Sequence, residues 1–144
     1  TVTGQGLTGC AYSTEAAVTG TGATNTDLQV TIPAGAVILD VGVVFTEAVV
    51  INSAADLAVT VGFSAGDNAI CASADMISNN TAAALGSAIS VSGANGEGAT
   101  ALAFKANAVL RAAAEDIIFF RVANSANNVT AGKAVAFVRY MVVS

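Results

Sequence analysis

Residues 28–45 read L-Q-V-T-I-P-A-G-A-V-I-L-D-V-G-V-V-F. Leu28, Val30 and Ile32 alternate with Gln29 and Thr31, the period-2 pattern of a half-buried strand. Pro33-Ala34-Gly35 stops it: Pro33 has no N–H for a ladder and Gly35 accepts a positive φ, so the three make a turn. A second strand follows, with Val37, Leu39, Val41, Val43 and Phe45 expected on one face. Ile38, Asp40, Gly42, Val44 and Thr46 fall on the other, a mixture suited to water or to a neighbouring subunit. The stretch holds no catalytic residue. It is a building block.

Working outward, Asn52 to Asp56 reads as a turn, and Leu57, Val59, Val61 and Phe63 alternate with Ala58, Thr60 and Gly62 as a clear strand. Ser64 to Asn68 closes it. Ile70, Ala74 and Ile77 stand at helical spacing and predict a short helix after Cys71. Residues 88–91, 101–104 and 109–111 read as short strands, and 92–98 as a turn-forming run. Asp116 to Ala123 is apolar on both faces, as a central strand between two layers would be. Lys133 to Val143 is a long last strand, expected to be paired on both sides. Upstream, Cys10 to Thr19 reads as a first strand with Tyr12 and Val18 turned inward. Residues 1–9, with three glycines, read as an extended arm that orders on a partner. The sum is one domain over 10–144: an all-β antiparallel sandwich of eight to nine strands with at most one short helix. No 20–50-residue repeat occurs, which argues against a solenoid or propeller.

Composition points to assembly. Apolar residues make up 54% of the 144 and charged residues 10%, against the ~25% usual for soluble domains. Either the surface is unusually bland or much of it is covered by other chains, and the second reading is favoured. The densest apolar run, 37–51, is broken by Asp40 and Glu47 and is too short for a transmembrane helix. A basic start with an apolar h-region, the mark of a signal peptide, is not seen in these residues. A net charge of −5 without a basic cluster argues against binding a nucleic-acid backbone.

The residues for most catalysis are missing. Without histidine there is no Ser-His-Asp or Cys-His triad, no imidazole acid–base chemistry and no His-ligated zinc. Glu115 and Asp116 are adjacent, so on a strand they would point to opposite faces and could not share one glycosidic bond. Asp67 and Asp75, with Asn68, offer oxygens for calcium but lack EF-hand spacing, and turn-capping acids are the plainer reading. No glycine run matches a phosphate-binding loop. Cys10 and Cys71 are either two buried free thiols or one disulfide between distant strands. Arg121 and Arg139 lie in apolar strands, where an unpaired guanidinium would be costly. They fit an inter-subunit pair with an acid such as Glu47 or Asp40, or equally an internal pair or a strand end reaching water.

The order I-P-A-G-A-V-I-L-D-V-G-V-V-F-T-E-A (32–48), L-A-V-T-V-G-F (57–63), D-N-A-I-C-A-S-A-D (67–75) and T-A-G-K-A-V-A-F-V-R-Y (130–140) resembles the capsid decoration (cement) and minor head proteins of tailed bacteriophages. That resemblance implies a jelly-roll-like sandwich, assembly on a virion surface and no catalysis. No cofactor and no metal are expected, from the absence of histidine and of clustered cysteine or acid ligands. The partners expected are further copies of the chain, as a trimer, and a major capsid or other virion protein, with no nucleic acid and no membrane. Thr1, Val2, Thr3, Gly4 and Gln5, with Arg121 and Arg139, are the contact residues expected between subunits or against the shell. A phage fibre or lectin-like module binding a cell-surface glycan is the alternative, weakened by the few aromatic residues: two tyrosines and six phenylalanines.

Overall fold

The computed structural model describes residues 6–96, 98–125 and 128–143. It holds nine strands and, among those residues, no helix. The strands are β1 (Gly6–Tyr12), β2 (Ala16–Ala17), β3 (Thr24–Ile32), β4 (Ala36–Gly62), β5 (Cys71–Ala83), β6 (Ala88–Ser90), β7 (Gly93–Ala94), β8 (Asp116–Asn124) and β9 (Val129–Val143). Every pairing is antiparallel. The fold is the expected all-β antiparallel sandwich.

One strand belongs to both layers. The first half of β4 pairs with β9 and β6, giving a layer in the order β1-β9-β4-β6-β7 with β2 also on β9. Its second half pairs with β8 and β5, and β8 pairs in turn with β3. The expected turn at 52–56 is therefore a bend inside a continuous strand. Its polar groups bind Ser125 and Asn128 instead of folding back: Asn52 N donates to Asn128 O, Asn128 N to Asn52 Oδ1, and Ser125 N to Asp56 O. The Pro33-Ala34-Gly35 turn is a corner between layers, since β3 and β4 do not pair with each other. Gly35 has φ +80° there, and Ala36 N donates to Pro33 O at 3.2 Å.

Two other expectations are corrected. Residues 71–83 form β5, not a helix, because the free edge of β4 supplies a ladder from Val49 to Val61. Ile70, Cys71, Met76 and Ile77 are all buried along it, and register shifts in the pairing produce their irregular spacing. The segments at 101–104 and 109–111 are loop. They meet the sheet at the bridges Cys71↔Phe104 and Val37↔Arg111, through bonds such as Leu102 N to Ser90 O, and through Leu102, which is buried in the core.

The inward face of β4 also changes phase. Ile38 lies opposite Tyr140 and Asp40 opposite Arg139, so Leu39 is the extra residue of a bulge. Ala36 and Ile38 point inward before it, and Val41, Val43 and Phe45 after it. Val37, expected inside, is half-buried on the outer side, and Leu39, the extra residue of the bulge, is half-buried.

The core lies between the layers. Leu28, Val30, Ile32, Leu57, Val59, Val61, Ile118, Phe120 and Val122 meet Val41, Val43, Phe45, Ala134, Ala136 and Val138. Large residues stand beside small ones: Phe45 is opposite Ala134 and Val43 opposite Ala136. β9 is paired on both sides as expected, by β1 and β4. Residues 6–9, read from the sequence as part of the arm, pair with 140–143.

Candidate functional site

The two outer faces of the sandwich differ in chemistry. On the β3–β8 side the outward residues of β3, namely Asn25, Asp27, Gln29 and Thr31, are exposed and polar. Arg121 holds Asp27 there in a two-pronged pair, Nε to Oδ1 at 2.7 Å and Nη2 to Oδ2 at 2.8 Å. The Arg121 hydrogen bond, with its charge, keeps the Asp27 carboxyl below its ordinary pKa against a smaller opposing effect of burial. A side chain at Gly66 would collide with this guanidinium, its Cβ only 2.6 Å from Nη1. Arg121 is thus satisfied within its own chain.

The outer face of the β1–β9–β4 layer is apolar by comparison. Register aligns Tyr12, Phe137 and Gly42 in one row, Cys10, Arg139 and Asp40 in the next, and Thr8, Met141 and Val37 in a third. Arg111 extends the third row through its bridge to Val37. The Phe137 ring lies over Gly42, where an added Cβ would sit 2.5 Å from Phe137 Cζ. Tyr12, expected inside, is 67% exposed, because Gly9 and Ala11 take the inward positions and the Tyr140 ring fills the space over Gly9. A side-chain hydrogen bond with Cys10, followed by the charge of that thiol, raises the Tyr12 phenol above its ordinary pKa. Val143 at the far end is 44% exposed.

Arg111 and Arg139 are exposed on this face and neither has a carboxylate within ion-pair distance among the described residues. The other cations are engaged: Arg121 as above, Lys105 on Asn68 Oδ1 at 2.8 Å, and Lys133 at 3.5 Å from Glu47 and 3.8 Å from Glu15. Asp40, the acid nearest Arg139 in register, is only 5% exposed and is already spent. Its Oδ1 accepts Val91 N at 3.0 Å and its Oδ2 accepts the Ser92 hydroxyl. It therefore fastens the β6–β7 turn to β4.

Beside that turn, Ala88, Ser90, Ser92, Gly93, Ala94 and Asn95 line a shallow depression of ≈ 290 Å³. Its polar groups face one another: Ser90 bonds Ser92 and Gly93 O, while Asn95 takes Ala88 N and donates to Gly86 O. A ligand there would have to displace bonds that hold the turn. Asp67 is likewise a turn acid, accepting Phe63 N at 2.9 Å and Ala69 N at 3.1 Å. Among the described residues no three Cys, Asp or Glu side chains gather as a metal site.

Both cysteines are free, but only Cys71 is buried; Cys10 is exposed on the outer face. Burial, helped by the Asp40 charge, pushes the Cys71 thiol up to about 11. Of the contact residues expected from sequence, Thr1, Val2, Thr3, Gly4 and Gln5 lie outside the described residues. Arg121 and Arg139 sit on opposite layers and are not brought together. Sequence reading missed Arg111, whose place depends on a bridge across 74 positions, from Val37, that no local pattern announces. Comparison with protein-family models, curated proteins and solved structures gives no match.

Proposed function

We propose that the chain is a non-catalytic structural subunit that coats or reinforces a bacteriophage capsid as a homo-oligomer, through contacts with its own copies and with the shell. The observation that carries this reading is the outer face of the β1–β9–β4 layer. It combines Tyr12, Phe137 and Met141 with two arginines that have no ion-pair partner among the described residues, the residue types that concentrate at protein interfaces. An unfilled core does not explain the low charge. The accessible surface is 6833 Å², close to the roughly 6,700 Å² expected of a self-contained monomer of this mass. The blandness therefore belongs to the surface, where a partner removes the need for charge. Burying such a face contributes roughly 25 cal/mol per Å² of apolar area, less the cost of association. The resemblance of residues 32–48, 57–63, 67–75 and 130–140 to phage decoration proteins supplies the virion context.

The test is to add the full chain to undecorated phage capsids. Saturable, stoichiometric binding that raises the capsid's disruption temperature is expected. Removal of residues 1–5, which leaves the β1 ladder from Gly6 intact, is expected to weaken it. A protein that ignores every capsid surface and instead retains sugars on a glycan array would establish the fibre or lectin-like module in its place.

A further inference from the structure

We propose that the outer face of the β1–β9–β4 layer receives a second copy of this chain head to tail, with Arg111 and Arg139 taking carboxylates from the Glu115 turn of that copy. The inference rests on the reading of the chain as a self-assembling subunit and names the surface and the mode of contact. Arg111 and Arg139 are neighbours in register, set among Tyr12, Phe137, Met141 and Val37, and the one carboxylate near them, Asp40, is bound to Val91 and Ser92. A two-fold contact of this face with itself would offer these arginines no free carboxylate, since Asp40 is already bonded, and an uncompensated charge in an apolar setting is costly. The complement has to come from a different surface, which makes the contact heterologous.

A second copy carries that complement. The chain is net −5, so with these two arginines set apart the rest of the molecule stands at −7. Most carboxylates are occupied: Asp27 by Arg121, Glu15 and Glu47 by Lys133, and Asp56, Asp67 and Asp116 by backbone N–H groups. Among the described residues Asp75 and Glu115 have no side-chain partner. Glu115 is exposed and stands two residues before Ile117, a large apolar side chain 38% exposed on β8 in the other layer. This turn offers an acid beside an apolar contact, matching cations beside aromatic rings. Because cations and acid are offered by different surfaces of one chain, repetition of the contact adds further copies, as a closed ring or an open chain according to the rotation between neighbours.

The experiment measures mass by light scattering at micromolar concentration on the full chain, with circular dichroism to verify folding. Wild type is expected at a multiple of 14.1 kDa that declines as salt screens the pairs. Arg111→Glu with Arg139→Glu, and separately Glu115→Arg, are expected to raise the dissociation constant at least about tenfold. Combining Arg139→Glu with Glu115→Arg in one chain restores association. Tyr12→Ser, at an exposed position, weakens it without altering the fold. An oligomer indifferent to all these changes overturns the proposed surface and leaves the subunit reading standing. A wild-type monomer whose capsid binding is lost in Arg139→Glu overturns the second copy as occupant and assigns the face to the shell. A monomer that binds no capsid overturns both.

Discussion

Asp40 looks like a solvent-facing residue in the pattern V-I-L-D-V-G-V, yet it is buried and holds Val91 N and the Ser92 hydroxyl. Replacing it with alanine removes the charged acceptor of the Ser92 hydroxyl and one of the two acceptors of Val91 N, which also donates to Val41 O at 3.2 Å. Asp40→Ala is expected to cost about 1–3 kcal/mol in urea unfolding. Cys71 makes a prediction that depends on pH. Its folded thiol ionises near 11, above the roughly 8.5 of an unfolded cysteine, so the native state keeps a proton that the unfolded chain gives up. The associated stability is complete below pH ~8.5 and is lost as pH rises through the folded value. Wild type should thus lose stability across that window more steeply than Cys71→Ala, and a thiol reagent at neutral pH should label Cys10 alone until the protein unfolds. Asp27 works in the opposite direction. Its carboxyl is lowered by Arg121, so its contribution is present above the unfolded value of about 3.9 and disappears as pH falls through the folded one. Asp27→Asn should flatten the acid limb of the stability curve.

At the scale of elements, glycine separates two kinds of strain. Gly35 at the layer corner has φ +80° and an added Cβ would meet only ordinary contacts, the nearest 3.7 Å away at Val142. Gly35→Ala should cost about 1–2 kcal/mol, the penalty of the left-handed backbone alone. Gly132 has φ +140° and would also press a Cβ to 2.9 Å from Val49 and 3.0 Å from Val18, so Gly132→Ala should cost more in the same unfolding measurement. The sequence shows these elements unevenly. The alternation at 28–32 and 57–63 was legible because neither segment contains a bulge and one face of each is fully apolar. The inward set of 37–45 was misassigned because Leu39 shifts the phase by one, and nothing in V-I-L-D-V marks a bulge that β9 imposes. β5 was misread as helix for a related reason: its register shifts against β4 break the period-2 pattern. On the outer face, Arg139 was legible as an oddity in an apolar strand. Arg111 and the outward turn of Tyr12 were not, since both depend on contacts between distant parts of the chain.

At the scale of the molecule, a single sandwich carries one polar and one more apolar outer face, and the proposed association uses the second. What assembles there is constrained by how the sandwich is threaded. β9 is synthesised after every other strand, yet it lies between β1 and the first half of β4, which find no other partner for those ladder positions. Until residues 129–143 have left the ribosome, the layer that carries the apolar face is two separate pieces with open edges. The face proposed as a docking surface therefore does not exist until β9 has been made. A message truncated before residue 129 yields chains with exposed strand edges, which are expected to aggregate.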